Sequence, residues 1–214
     1  MQMRKALRLL LALQNHIMQD NYQDFVSQLN GVCQEFPHLR IKTFDEKQYL
    51  KGTIKIFDAG QRATKSYSIE IHFAEGFPYR FPKLYEVGGD IPCEADFHKY
   101  PDNSCCITVG FNEFLECVNG ITILQFVKKQ VIPYLANQWY RQLTGKYKNE
   151  YSHGNKGQIE CLCDYAFGEK KIHIGRNDRC FCGSNKKHKK CCLSLISKIQ
   201  QIGKEKMTQY LNSI

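Results

Sequence analysis

The chain contains no apolar run approaching the ~20 residues that a membrane-spanning helix needs. It has no internal repeat and no low-complexity tract, which excludes repeat architectures, and a hydrophobic content of 43% with 24% charged residues excludes wholesale disorder. No cleavable leader is expected either. The first residues, MQMRKALRLLLALQNHIMQD, begin with a basic start and leucines, but Arg8 interrupts the run and no small-residue cleavage site follows. The cysteine count is odd, at 11. An odd number without a leader argues against a disulfide framework and for metal ligation or thiol chemistry in a cytoplasmic protein.

Acidic residues are scarce at one end only. Residues 169–214 hold 11 Lys/Arg and three acids (Glu169, Asp178, Glu205), a balance of +8. The other 168 residues hold 19 Lys/Arg and 18 acids, a balance of +1. The basicity therefore belongs to a tail. Such a tail is either a solvated charged face or a surface for nucleic acid or acidic protein.

At 214 residues the chain holds one medium domain and a small appendage, or two small domains. Leu7, Leu10, Leu11, Ile17 and Met18, then Tyr22, Phe25, Val26 and Leu29, fit the stripe of a long amphipathic helix. FPHLRIKTF (36–44), YLKGTIKIF (49–57), SYSIEIHF (66–73) and KLYEV (83–87) read as strands, and DAGQRATK as a hairpin connection. GITILQFVKKQVIPYLANQWYRQL (120–143) predicts a helix that Pro133 kinks or splits. The order is α+β: a helix, an antiparallel meander, an irregular crossing, then helices. The predicted division is a body over 1–168 and a tail over 169–214.

GRNDRCFCGSNKKHKKCC (175–192) places Cys180 and Cys182 at one end of a short basic loop and Cys191 and Cys192 at the other. Four thiolates gathered by a tight turn make a tetrahedral site suited to zinc. The metal would stand in for a core that so short a segment lacks. This segment resembles the SEC-C motif, found at the end of the SecA translocase motor. The resemblance implies zinc ligation by Cys180, Cys182, Cys191 and Cys192, with Phe181 replacing the motif's usual proline. His188 is a substitute ligand candidate. Cys161 and Cys163 form a second CxC, read as core residues.

The other adjacent pair lies in DFHKYPDNSCCITVG (96–110). A vicinal disulfide would need a strained ring and an oxidising setting. A metal site would need partners from Cys93, His98 or Cys117, without a recognised spacing. Two readings stay open: one thiol is a nucleophile, or both fill core. If the segment is extended, adjacent side chains face opposite sides, one toward a cleft and one toward the core.

Residues 3–168 resemble the ubiquitin-conjugating (UBC) fold, in particular its divergent bacterial branch. The resemblance rests on the helix and meander, on YLKGTIKI, on GFPYRFPKLYEV with Phe81-Pro82 at the usual Pro-Pro, on HKYPDNSCCI with Cys106 eight residues after His98, and on GKYKNEYSHGNKGQIECLCDY. It implies a catalytic Cys106 that carries an activated protein C-terminus as a thioester and passes it to an amine. It implies Cys106 outward and Cys105 inward. His98 is the candidate base or the residue that orders the loop. Asp102 is read as a turn residue and His153 as structural. The family's His-Pro-Asn is His98-Lys99-Tyr100 here, so its oxyanion Asn is missing, and Asn103 or backbone N–H groups are the candidates to replace it.

The implied partners are a ubiquitin-activating-like enzyme and, as the conjugated protein, a ubiquitin-like protein or a cGAS-like nucleotidyltransferase of the antiphage systems called CBASS. The competing expectation is a non-catalytic adaptor. Its body would bind a partner, and its basic zinc tail would dock on protein or nucleic acid.

Overall fold

Alternation of apolar and polar residues builds the sheet. In β3 (Ala63–His72), Tyr67, Ile69 and Ile71 are fully buried while Ser66 and Ser68, which alternate with them, are exposed. β1 (Leu39–Phe44), β2 (Lys47–Phe57), β3 and β4 (Lys83–Glu86) form one four-stranded antiparallel sheet in chain order. The first hairpin turns on Asp45 and Glu46, both left-handed at φ +48° and +59°. Two left-handed residues give the turn whose twist matches that of its strands. Gly52 in β2 permits a close approach: a Cβ there would lie 2.0 Å from the His38 carbonyl oxygen.

The computed structural model describes residues 2–117, 119–148, 150–152, 154–169, 174–180, 184 and 186–213, and only the backbone of 2–18, 114 and 213. α1 (Gln2–Glu35) is one long helix, as its stripe predicts. The lower part of that stripe, through Met18, lies outside the described side chains. Its upper part supplies Phe25, Leu29 and Val32, buried at i, i+4 and i+7, to the core over β1 and β2. The Gln28 side chain accepts the Ile123 N–H at 2.9 Å and ties α1 to the next helical run.

That run is not one regular helix. Thr122 and Gln125 form a capping box that starts α3 (Ile123–Phe126). A π-helical segment follows over Val127–Val131, and then α4 (Ile132–Thr144). Pro133 sits at the start of α4. Having no N–H, it has nothing to donate to the turn before it, and the wider π turn accommodates this. Ile123, Phe126, Val127, Val131 and Leu135 are all buried in the same core.

Chain contacts divide the protein into two compact units, Met1–Ile107 with Asn119–Lys148, and Thr108–Val118 with Asn149–Ile214. The division expected at 168/169 falls inside the second unit. That unit holds α2 (Gly110–Cys117), α5 (Gly154–Ala166), α6 (Cys192–Ile202) and α7 (Lys204–Ser213). Sequence periodicity did not show α2, which is only eight residues long. Leu162, Cys163 and Ala166 from α5 pack with Ile196, Ile199 and Met207 from α6 and α7. Cys161 and Cys163 are buried on α5, as expected of core residues. The second unit thus has an apolar core of its own, which α5 shares with the helices of the tail. Among the described residues, no helix is long and apolar enough to cross a membrane.

The burial pattern predicts that Phe126→Ala lowers stability by about 3–5 kcal/mol. Phe57→Ala, at a side chain 53% exposed, should change it by less than about 0.5 kcal/mol. Urea unfolding followed by the fluorescence of Trp139, the single tryptophan, reads both.

Candidate functional site

The turn that carries the first cysteine pair is held from above by α4. Tyr134, Gln138 and Arg141 lie at i, i+4 and i+7, on one helical face. The Tyr134 hydroxyl donates to the His98 carbonyl at 3.1 Å, and Gln138 Nε2 donates to the Phe97 carbonyl at 2.9 Å. Arg141 donates to the Asp96 carbonyl, and its guanidinium lies 3.8 Å over the Phe97 ring. Three successive carbonyls are therefore bound by three successive donors. His98 is left-handed, at φ +52° and ψ +51°. Such a conformation costs a non-glycine residue about 1–2 kcal/mol. The bound carbonyls offset that cost at about 1 kcal/mol per neutral hydrogen bond.

His98 in turn holds Cys106. Its carbonyl accepts the Cys106 N–H at 2.8 Å. Its imidazole packs on the Tyr147 ring, with centroids 4.8 Å apart. The Tyr147 hydroxyl accepts from Arg141 at 3.1 Å and donates to Gln138 at 3.0 Å, which joins it to the same clamp. Below the turn, Cys105 donates its N–H to the Leu84 carbonyl at 2.8 Å and bridges Lys99.

The two cysteines differ in burial: Cys105 is buried and Cys106 half-buried. Burial pushes the Cys105 thiol up, against the opposing pull of the Lys99 ammonium and the Tyr134 hydroxyl. Lys99 is itself buried. Its Nζ donates to the carbonyls of Glu86 (3.3 Å) and Asn103 (3.1 Å) and lies 4.0 Å from Cys105 Sγ.

Asp102 is a turn residue here. It accepts the Ser104 N–H at 3.0 Å and pairs with Lys83 at 2.8 Å, and these contacts hold its carboxyl at about 2. Asn103 is left-handed at φ +63° and donates its N–H to the Tyr100 carbonyl at 2.8 Å. Tyr100, where the resemblance noted from sequence would expect asparagine, is 49% exposed. Sequence reading passed over Lys99, Tyr147 and the α4 clamp. The signal for the clamp was present in IPYLANQWYRQL, where Tyr134, Gln138 and Arg141 recur at helical spacing.

The second cysteine pair belongs to a different geometry. An Arg179–Lys187 bridge closes a small loop, with Cys180 N–H donating to the Lys186 carbonyl at 2.7 Å and His188 N–H to the Asp178 carbonyl at 2.8 Å. A 3-10 turn over His188–Lys190 then leads Cys191 and Cys192 into α6. The sulfurs of Cys180, Cys191 and Cys192 all lie within 4.8 Å of one another. A tetrahedral zinc–thiolate site with bonds of about 2.3 Å needs sulfurs about 3.8 Å apart, so three converging thiols suit it. The N-terminal end of α6 adds a partial positive charge that favours thiolates. Cys182, the fourth expected ligand, and His153 lie outside the described residues.

Contacts to the sulfurs are dense. Cys180 Sγ receives the Cys192 N–H at 3.4 Å and faces His188 Nδ1 at 3.7 Å. Ser184 Oγ lies 3.2 Å from Cys191 Sγ. Around this buried group, Arg176, Arg179, Lys186, Lys187, Lys189 and Lys190 are exposed.

Residues 176–194 match the family model of the SEC-C motif, a motif of zinc-binding type. No curated protein matches the chain. The C-terminal segment therefore carries a SEC-C motif, and its thiol cluster is a site able to hold a metal ion.

Differential burial predicts the order of alkylation. Iodoacetamide under native conditions should modify Cys93, which is exposed, and Cys106 well before Cys105, Cys117 or Cys161. Peptide mapping by mass spectrometry over a time course reads the order.

Proposed function

We propose that the chain is a ubiquitin-conjugating-like transferase with a zinc-bound SEC-C tail. The observation that carries this reading is the fixed turn in which His98 holds Cys106 half-exposed while its neighbour Cys105 is buried. Cys106 thiolate attacks the carbonyl of an incoming thioester, the activating enzyme's thiol leaves, and the acyl group now rests on Cys106 Sγ. A target amine then attacks that carbonyl. An amide forms, Cys106 leaves as thiolate, and the amine gives up its proton. Exchange between thioesters is nearly balanced, so placing the partners supplies most of the catalysis.

The oxyanion donor is the unusual part of this proposal. The N–H groups of Asn103 and Cys106 are already spent on the Tyr100 and His98 carbonyls. We assign the role to the Asn103 side chain, three residues from the thiol, ahead of those two N–H groups. His98 acts in this scheme by ordering the turn through its carbonyl.

The proposed partners are an activating enzyme that supplies a thioester and either a ubiquitin-like protein or a cGAS-like nucleotidyltransferase as the conjugated chain. The setting is cytoplasmic, in bacterial antiphage defence of the CBASS kind. With the partners and ATP, a non-reducing gel should show an adduct that reductant removes. Cys106→Ala should abolish that adduct and Cys105→Ala should retain it. An adduct retained in Cys106→Ala overturns the transferase reading and leaves the adaptor.

In the second unit, Cys180, Cys182, Cys191 and Cys192 would hold zinc, which supplies structural cross-linking there and no chemistry at Cys106. The purified chain should carry about one equivalent of zinc. The double substitution Cys191→Ser, Cys192→Ser should lose it, as read by elemental analysis and a colorimetric zinc assay.

A further inference from the structure

The thiol cluster has a near neighbour in His188. His188 is 3% exposed, and its Nδ1 lies 3.7 Å from Cys180 Sγ. Its backbone is fixed at both ends: the N–H donates to the Asp178 carbonyl at 2.8 Å and the carbonyl accepts the Cys191 N–H at 3.1 Å. The ring is thus delivered to the sulfur by the loop that brings the cysteines together.

His188 is not placed as a ligand. The ligand atoms of Cys180, Cys191 and Cys192 lie mutually within 4.8 Å, and His188 is outside that group. A coordinating nitrogen would have to approach every sulfur about as closely as the sulfurs approach each other. Among the described residues, the sulfur that its Nδ1 approaches is that of Cys180.

A metal-bound thiolate has no S–H and can only accept hydrogen bonds. A ring nitrogen in contact with it therefore has to be the donor. We infer that His188 is a positioning residue of this site, donating Nδ1–H to the Cys180 thiolate beside the Cys192 N–H that the same sulfur already receives. Two donors spread the sulfur's negative charge, orient its remaining lone pair and make it a poorer target for protons and oxidants. Outer contacts of this kind are typically worth 10–100-fold in metal affinity. The inference rests on the metal reading above.

The test is metal binding by the whole chain with His188→Phe, which keeps a ring but no donor, and His188→Asn, whose side-chain amide can take the place of Nδ1–H. His188→Phe should weaken zinc binding about 10–100-fold in a chelator competition and shift the sulfur-to-cobalt charge-transfer band of the cobalt-loaded protein. His188→Asn should restore most of both. A His188→Phe protein with wild-type affinity and an unshifted band overturns the inference. So does a histidine nitrogen among the metal's ligands in X-ray absorption of the wild type. A wild-type chain that takes up neither metal overturns the metal reading itself, and this inference with it.

Discussion

Three donors on one face of α4 fix the segment on which the candidate chemistry depends. Tyr134, Gln138 and Arg141 bind the carbonyls of His98, Phe97 and Asp96. These carbonyls belong to a 3-10 turn of three residues and the left-handed His98 that ends it, a segment too short to be stable alone. Once His98 is held, its own carbonyl sets Cys106 and its ring settles on Tyr147. The backbone of the cysteine is therefore positioned through a backbone carbonyl. The π segment before α4 belongs to the same account: it sets the rotation of the face that carries the clamp.

The chain uses two adjacent cysteine pairs in opposite ways. At 105–106 the first residue forms an isolated bridge with Lys99, and one thiol is buried near Lys99 while the other is half-exposed. At 191–192 the backbone turns from a 3-10 segment into a helix, and both sulfurs join Cys180. Local backbone geometry thus separates a candidate nucleophile from a candidate metal cage. Thiolates crowded within 4.8 Å repel one another, which a divalent cation relieves. Exposed lysines and arginines around the cluster lower that repulsion further.

Much of the framework was legible in the sequence. Period-two alternation in SYSIEIHF gave a strand that the structure extends by only a few residues, and the apolar spacing of α1 gave its buried face. Cys180, Cys191 and Cys192 were brought together as the spacing around a short basic loop implied. Other features were not legible. Lys99 gives no sign of burial, because lysine is usually solvated and its partners here are main-chain carbonyls. Tyr147 reaches His98 through tertiary packing, which no local period encodes. The tail was expected to depend on metal in place of a core, yet α5 and α7 supply apolar side chains that the motif itself lacks.

The proposed function makes Cys106 the thiol that reacts with an activated acyl group, in a chain whose exposed cysteines include Cys93 as a competitor. The most direct measurement is to offer the purified chain a peptide thioester ending in glycine and to locate the transferred acyl group by tandem mass spectrometry. The account predicts that the acyl group appears first on Cys106. First appearance on Cys93, or equal transfer to both, would contradict it.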